Sequence, residues 1–154
     1  MPSKHQLCLA LGSNVGPREE HLTYALEKLP HYGINILAVS RFHETQPVGG
    51  PADQEFYLNA AARAETELNP LEVLRIFFLI EKSRGRMRES ETRNAARTLD
   101  LDLLFYDDWI LHEAELTLPH PRLHEREFVL APLREVAPNW VHPVLKKTVR
   151  ELSP

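Results

Sequence analysis

Residues 56–80, FYLNAAARAETELNPLEVLRIFFLI, decide the fold, because they hold a strand, a helix start and a helix in one run. Residues 56–67 read as a strand. Asn69-Pro70 is an N-cap followed by proline at the first helical position. The helix it opens puts Val73, Ile76, Phe77 and Ile80 on one face, with Leu71, Leu74 and Phe78 beside them. Gly85 is expected to end it.

The same order recurs upstream. Residues 5–11 read as a strand with Leu7, Leu9 and Leu11 on one face and Cys8 and Ala10 on the other, so both faces should be buried. Gly12-Ser13-Asn14 ends it with turn chemistry, and Gly12 to Gly16 reads as a structural strand-to-helix turn. A helix is expected from Pro17, with Leu22, Ala25, Leu26 and Leu29 as its apolar stripe and Pro30 and Gly33 as its stop. Residues 34–43 read as a second strand. Residues 44–54, with Pro47, Gly49, Gly50 and Pro51, read as a loop.

Downstream, residues 86–96 show neither helical nor strand periodicity and form a long polar loop, of a length that usually carries function. Residues 98–106 read as the fourth strand, with Leu99, Leu101 and Leu103 on one face. Asp107-Asp108 reads as a hairpin turn into 109–111. A loop at Pro119 and Pro121, a short helix over 128–136 and one helical turn near Val149 complete the chain. The order β-α-β-β-α-β predicts an α+β, ferredoxin-like βαββαβ core. Its sheet should be mainly antiparallel, with two long helices on one face and a C-terminal extension. Residues 1–154 are expected to form one domain.

The composition fits that reading. With 43% apolar and 26% charged residues in 154, the chain can bury a core and disorder is not expected. The net charge of −4 gives no overall positive field for nucleic acid. A lone cysteine, Cys8, excludes an internal disulfide and a cysteine-built zinc site. No signal-peptide stretch follows Met1, and the longest apolar run, 76–80, is far too short to cross a membrane. A cytoplasmic protein without membrane partners is the expectation.

Five arginines, Arg84, Arg86, Arg88, Arg93 and Arg97, fall within fourteen residues of this acidic chain. They lead directly into Asp100 and Asp102. Strand alternation puts those two carboxylates on one face, with Cα atoms roughly 6.5–7 Å apart. An isolated Asp-x-Asp is most often a solvated strand face. Beside an arginine loop it suits magnesium held by carboxylates and phosphate oxygens together. No G-x-x-x-x-G-K-[ST] occurs, so the site expected here has no P-loop.

Arg97-Thr98-Leu99-Asp100-Leu101-Asp102 resembles the central motif of the 6-hydroxymethyl-7,8-dihydropterin pyrophosphokinase family. Gly12-Ser13-Asn14-Val15-Gly16 is similar to that family's first turn. Thr45-Gln46-Pro47-Val48-Gly49 resembles its substrate loop, and Tyr57-Leu58-Asn59-Ala60-Ala61 its third strand. Glu81 and Gly85-Arg86-Met87-Arg88 resemble its helix end and mobile loop. Pro119-His120-Pro121-Arg122-Leu123-His124-Glu125-Arg126 and Phe128 resemble its C-terminal motif. Asn94-Ala95-Ala96 departs from it, standing where relatives often carry Trp-Gly-Pro.

The resemblance implies transfer of pyrophosphate from ATP to the hydroxymethyl oxygen of a reduced pterin, with release of AMP. It implies two Mg2+ ions on Asp100 and Asp102, and Arg86 and Arg97 stabilising charge on the transferring phosphates. ATP contacts are implied for Glu81, Arg88, Leu103, His120 and Arg126. The pterin is implied to lie between Tyr57 and Phe128, read by Asn59 and by main-chain groups near Thr45 and Val48. A monomer acting on two small molecules is expected. The rival readings are another Asp-x-Asp metal-dependent nucleotide enzyme, such as a sugar-nucleotide transferase, and a non-catalytic ferredoxin-like binding module.

Overall fold

The structure is a computed structural model that describes residues 3–45, 56–85 and 98–154. Seven strands and three α-helices are described: β1 (His5–Ser13), α1 (Arg18–Lys28), β2 (Ile34–Val39), β3 (His43–Thr45), β4 (Tyr57–Thr66), α2 (Pro70–Ser83), β5 (Asp100–Tyr106), β6 (Leu111–His112), β7 (Thr117–Leu118) and α3 (Glu127–Val136). The main sheet runs β2-β4-β1-β5, with β3 also on β4, and its pairings are antiparallel. That is the strand order of the expected ferredoxin-like core.

Leu7, Leu9 and Leu11 of β1 and Leu101 and Leu103 of β5 face one core. Leu22 and Ala25 of α1 and Val73, Leu74, Phe77 and Ile80 of α2 close it. The two long helices therefore cover one face, as expected. The C-terminal extension covers the other. Leu130 and Leu133 of α3, with Val149 and Leu152, pack on Cys8, Ala61 and Phe105. A register shift between β1 and β5 next to Cys8 sends Phe105 to this second core. A bulge that adds one residue to a strand reverses which face the next side chain meets.

The helix ends follow their sequence signals. Asn69 caps α2 in a reciprocal box with Glu72, and Gly85 stands at φ +90° beyond its end. α1 differs slightly: Pro17 is its N-cap, not its first residue, and a 3-10 turn carries the chain through Pro30 to Gly33. Arg84 joins the two helices, its Nε donating to His21 Nδ1 at 2.9 Å and its guanidinium lying over Tyr24.

Two expectations require correction. The strand expected over 34–43 is broken, because Ser40 leaves the ladder: its hydroxyl accepts the Ala61 N–H while its own N–H bonds the Ala61 carbonyl. Pairing resumes at β3, so Glu44 and Thr45 belong to a strand and not to the following loop. The turn expected at Asp107-Asp108 forms, with the Trp109 N–H on the Tyr106 carbonyl at 3.0 Å, but the segment after it does not pair back onto β5. Asp107, at φ +49°, turns back on β1, where its carboxylate accepts the Gln6 N–H at 2.9 Å. β6 pairs with β7 instead.

Candidate active site

The register of the sheet assembles the candidate site. Asp100 pairs with Gly12 on β1, Gly12 with Asn59 on β4, and Asn59 with His43 on β3. Residues that pair across a ladder share a face, so these four stand in one row on the α3 side. Two strand spacings put the Cα atoms of Asp100 and Asn59 about 10 Å apart. Asp102 pairs with Ala10, one step along the same face. Tyr57 lies on that face too, two residues before Asn59.

Gly12 keeps the middle of the row open. A Cβ there would lie 3.2 Å from Asn59 Oδ1 and 4.0 Å from Tyr57 Cδ1. Asn59 is buried, and its Nδ2 donates to Thr45 Oγ1 at 2.6 Å. That bond fixes the amide's orientation and leaves Oδ1 over the glycine. Thr45 thus supports the slot through its hydroxyl.

Both aspartates are half-buried, alternating with the buried Leu101 and Leu103. Glu81, at the end of α2, is buried behind them, and its Oε2 accepts the Leu101 N–H at 2.7 Å. Glu81, expected as an ATP contact, thus also supports the backbone between the two aspartates. Leu103 lies on the wall of a cavity along the outer edge of β5.

That cavity measures about 250 Å³. It is smaller than the roughly 300–1,000 Å³ of whole-ligand pockets, so it suits one ring system of a larger ligand. Its walls are Leu74 and Phe78 of α2, Leu101 and Leu103 of β5, and Leu116 and Pro121. Asp102, Glu115, Thr117 and His120 supply the polar positions. The wall formed around β7 was not foreseen, because the reading of a hairpin at Asp107 hid the real one.

His120 is fastened by its N–H to the Leu104 carbonyl at 2.9 Å. Burial, helped by the Arg126 guanidinium, pushes its pKa down to about 4. The ring is therefore neutral near pH 7. Its Nδ1 accepts the Arg122 N–H at 3.3 Å, so the remaining proton sits on Nε2 as a donor. His120 can offer a hydrogen bond to an anion, not a charge.

Arg126 stands at the N-cap of α3 with its guanidinium 5.7 Å from the Phe128 ring centroid. Phe128 is part-buried against the second core, on the same side of the sheet as Tyr57. Arg86, Arg88, Arg97 and Val48, with the departure at Asn94-Ala95-Ala96, lie outside the described residues.

The chain matches the model of the 7,8-dihydro-6-hydroxymethylpterin-pyrophosphokinase family (HPPK) over residues 8–138. A 2-amino-4-hydroxy-6-hydroxymethyldihydropteridine pyrophosphokinase of Synechocystis is 39% identical over 149 residues, 96% of this chain and 74% of that protein. The chain belongs to the HPPK family. The enzyme of that name from Bacillus subtilis is 44% identical over 83% of this chain and 75% of its own length. The one from Haemophilus influenzae is 42% identical over 88% and 83%. Among solved structures, a Plasmodium falciparum HPPK-DHPS protein with pterin and p-hydroxybenzoate superposes with a TM-score of 0.79. At 17% identity that likeness bears on the fold, and this chain spans 44% of the Plasmodium chain.

Among the described residues no third acidic, histidine or cysteine side chain joins Asp100 and Asp102 into a complete metal cage. Two carboxylate donors on one face nevertheless fit magnesium, which usually takes one or two carboxylates and fills its octahedron with phosphate oxygens and water. No described helix is long and apolar enough to cross a membrane.

Proposed function

We infer that this chain catalyses the reaction its family is named for: transfer of pyrophosphate from ATP to 6-hydroxymethyl-7,8-dihydropterin, releasing AMP. The observation that carries this reading is the position of the aspartate pair. On one side lies the polar slot of Gly12, Asn59 and Thr45; on the other lies the apolar cavity at the edge of β5. A transfer between two ring-bearing substrates needs two ring sites flanking one centre that neutralises phosphate.

In this reading the pterin lies at Asn59, between Tyr57 and Phe128. Asn59 Oδ1 accepts from an N–H of the heterocycle, since Thr45 already holds Nδ2. The adenine base takes the cavity, with Leu103 in its wall. Asp100 and Asp102 would hold two magnesium ions, which would neutralise charge on the phosphate oxygens. His120 donates a hydrogen bond from Nε2–H to the nucleotide phosphates, and Arg126 adds positive charge beside it. Arg86, Arg88 and Arg97 supply the planar forks that suit phosphate. The acceptor hydroxyl oxygen forms a bond to the β-phosphorus of ATP, its proton passes to water, and the bond from the β-phosphorus to the AMP oxygen breaks, with AMP leaving. Positioning and charge neutralisation suffice for such a step. The chain is expected to act as a cytoplasmic monomer.

Nucleotide product analysis with ATP, magnesium and the hydroxymethyl pterin tests the reading. Pterin-dependent AMP supports it; ADP, or no turnover by folded protein, overturns it.

A further inference from the structure

The pterin side of the site hangs on a short edge of the sheet. β3 has three residues, and Thr45 with Tyr57 is the last pair of the β3–β4 ladder among the described residues. Both residues of that pair belong to the proposed pterin pocket, and Thr45 also orients Asn59. A terminal pair frays unless something outside the ladder holds it.

Arg18, the first residue of α1, reaches this end from the opposite face of the sheet. Its guanidinium donates to the Phe56 carbonyl at 2.6 Å and lies 3.0 Å from the Glu44 carboxylate. Phe56 precedes Tyr57 and Glu44 precedes Thr45, so one side chain ties both strands just beside the terminal pair. Glu44 pairs with Leu58, whose side chain faces the α1–α2 core. Alternation then turns Thr45 and Tyr57 to the ligand side. Arg18 thus sits behind the pocket wall.

A planar guanidinium can serve a carboxylate and a carbonyl at once, which an ammonium on a flexible stem does less well. The Glu44 side chain is 55% exposed, so the ion pair alone is weak. The bond to the carbonyl, with a charged donor, is the stronger half.

We propose that Arg18 is a positioning residue for pterin recognition: by joining Glu44 to the Phe56 carbonyl it closes the β3–β4 ladder and fixes Thr45 and Tyr57. The proposal rests on the pyrophosphokinase reading of the pocket, and two readouts separate the two. The first compares steady-state constants of wild type, Arg18→Met, Arg18→Lys and Glu44→Gln. Arg18→Met should raise the KM for the hydroxymethyl pterin about tenfold, as small misplacements of a binding group do, and leave the KM for ATP within twofold. Arg18→Lys and Glu44→Gln should fall between. The second is amide hydrogen exchange over 43–45 and 57–59 without ligands, which should quicken in Arg18→Met and not in distant strands. Equal rises in both KM values, or unchanged exchange at the ladder end in folded Arg18→Met, overturn the proposal. A wild-type protein that makes no pterin-dependent AMP overturns the function, while the exchange result still decides whether Arg18 holds the ladder.

Discussion

Glu81 accepts the main-chain N–H of Leu101, the residue between Asp100 and Asp102, at 2.7 Å. A buried carboxylate on α2 thus sets the backbone from which two other carboxylates project. The bond explains how a strand end can present like charges side by side in a fixed geometry.

Glu81→Ala leaves that N–H buried without its acceptor, a loss of about 1–3 kcal/mol in stability. The aspartates should also lose alignment, so turnover should need more magnesium. Glu81→Gln keeps an acceptor oxygen and should behave nearer to wild type. Denaturant midpoints and magnesium titrations of the rate measure the two effects. A Glu81→Ala enzyme with an unchanged magnesium requirement would sink the positioning role.

Asp100→Ala or Asp102→Ala should lower turnover by orders of magnitude. Neither should unfold the domain, because both side chains are half-buried on the face away from the main core. Removing one of two neighbouring like charges also relieves repulsion. Rate measurements at saturating magnesium, with thermal unfolding as the control, check both halves. Near-normal turnover would count against metal ligation.

The core elements were legible because their signals are local. The leucines of β1 and β5, the cap at Asn69-Pro70 and the stripe of α2 each specify their own segment, and the order of segments specifies the sheet. The break at Ser40 was not legible, since it depends on a hydroxyl meeting Ala61 from another strand. Nor was the β6–β7 hairpin, because the turn at Asp107-Asp108 looks like the one that pairs 109–111 with β5, whereas Asp107 is held to Gln6 of β1 and β6 pairs with β7. In the site, the alternation of Asp100 and Asp102 follows from strand geometry alone. Tyr57, Asn59 and Phe128 came into view through resemblance, because an aromatic or an amide in isolation carries no period. The supports Arg18, Glu81 and Gly12 act through the register of strands distant in sequence, and pattern reading has no access to register.

Gly12→Ala places a methyl group in the slot between Asp100 and Asn59. The new carbon would meet Asn59 Oδ1 at 3.2 Å, and the bond to Thr45 keeps that amide from swinging away. The strand itself tolerates alanine, because Gly12 is not among the positive-φ residues. The expected result is a folded enzyme with pterin affinity weakened about tenfold, equal to roughly 1.4 kcal/mol, and little change for ATP. Equilibrium titration with each ligand checks this. A mutant that binds both as wild type does would mean the slot is not used.

Stability should fall as the medium is acidified through the histidine range, and His142 supplies part of the slope. Its Nδ1 accepts the N–H groups of Val144 and Leu145 at 3.2 and 3.0 Å, which a protonated ring cannot do. Burial, then the neighbouring His124, holds its pKa below the ordinary value. The neutral form is thus favoured in the folded state. The unfolded chain takes up the proton first, from an ordinary pKa of about 6.5. The contribution is complete above that pH and is lost as the pH falls towards the lower folded value. His21 and His120, also shifted down by burial, act with the same sign. His142→Asn offers an amide oxygen near the place of Nδ1 and does not titrate. Urea midpoints between pH 8 and pH 5 should therefore fall less steeply in this variant than in wild type, and equal slopes would exclude His142 as a contributor.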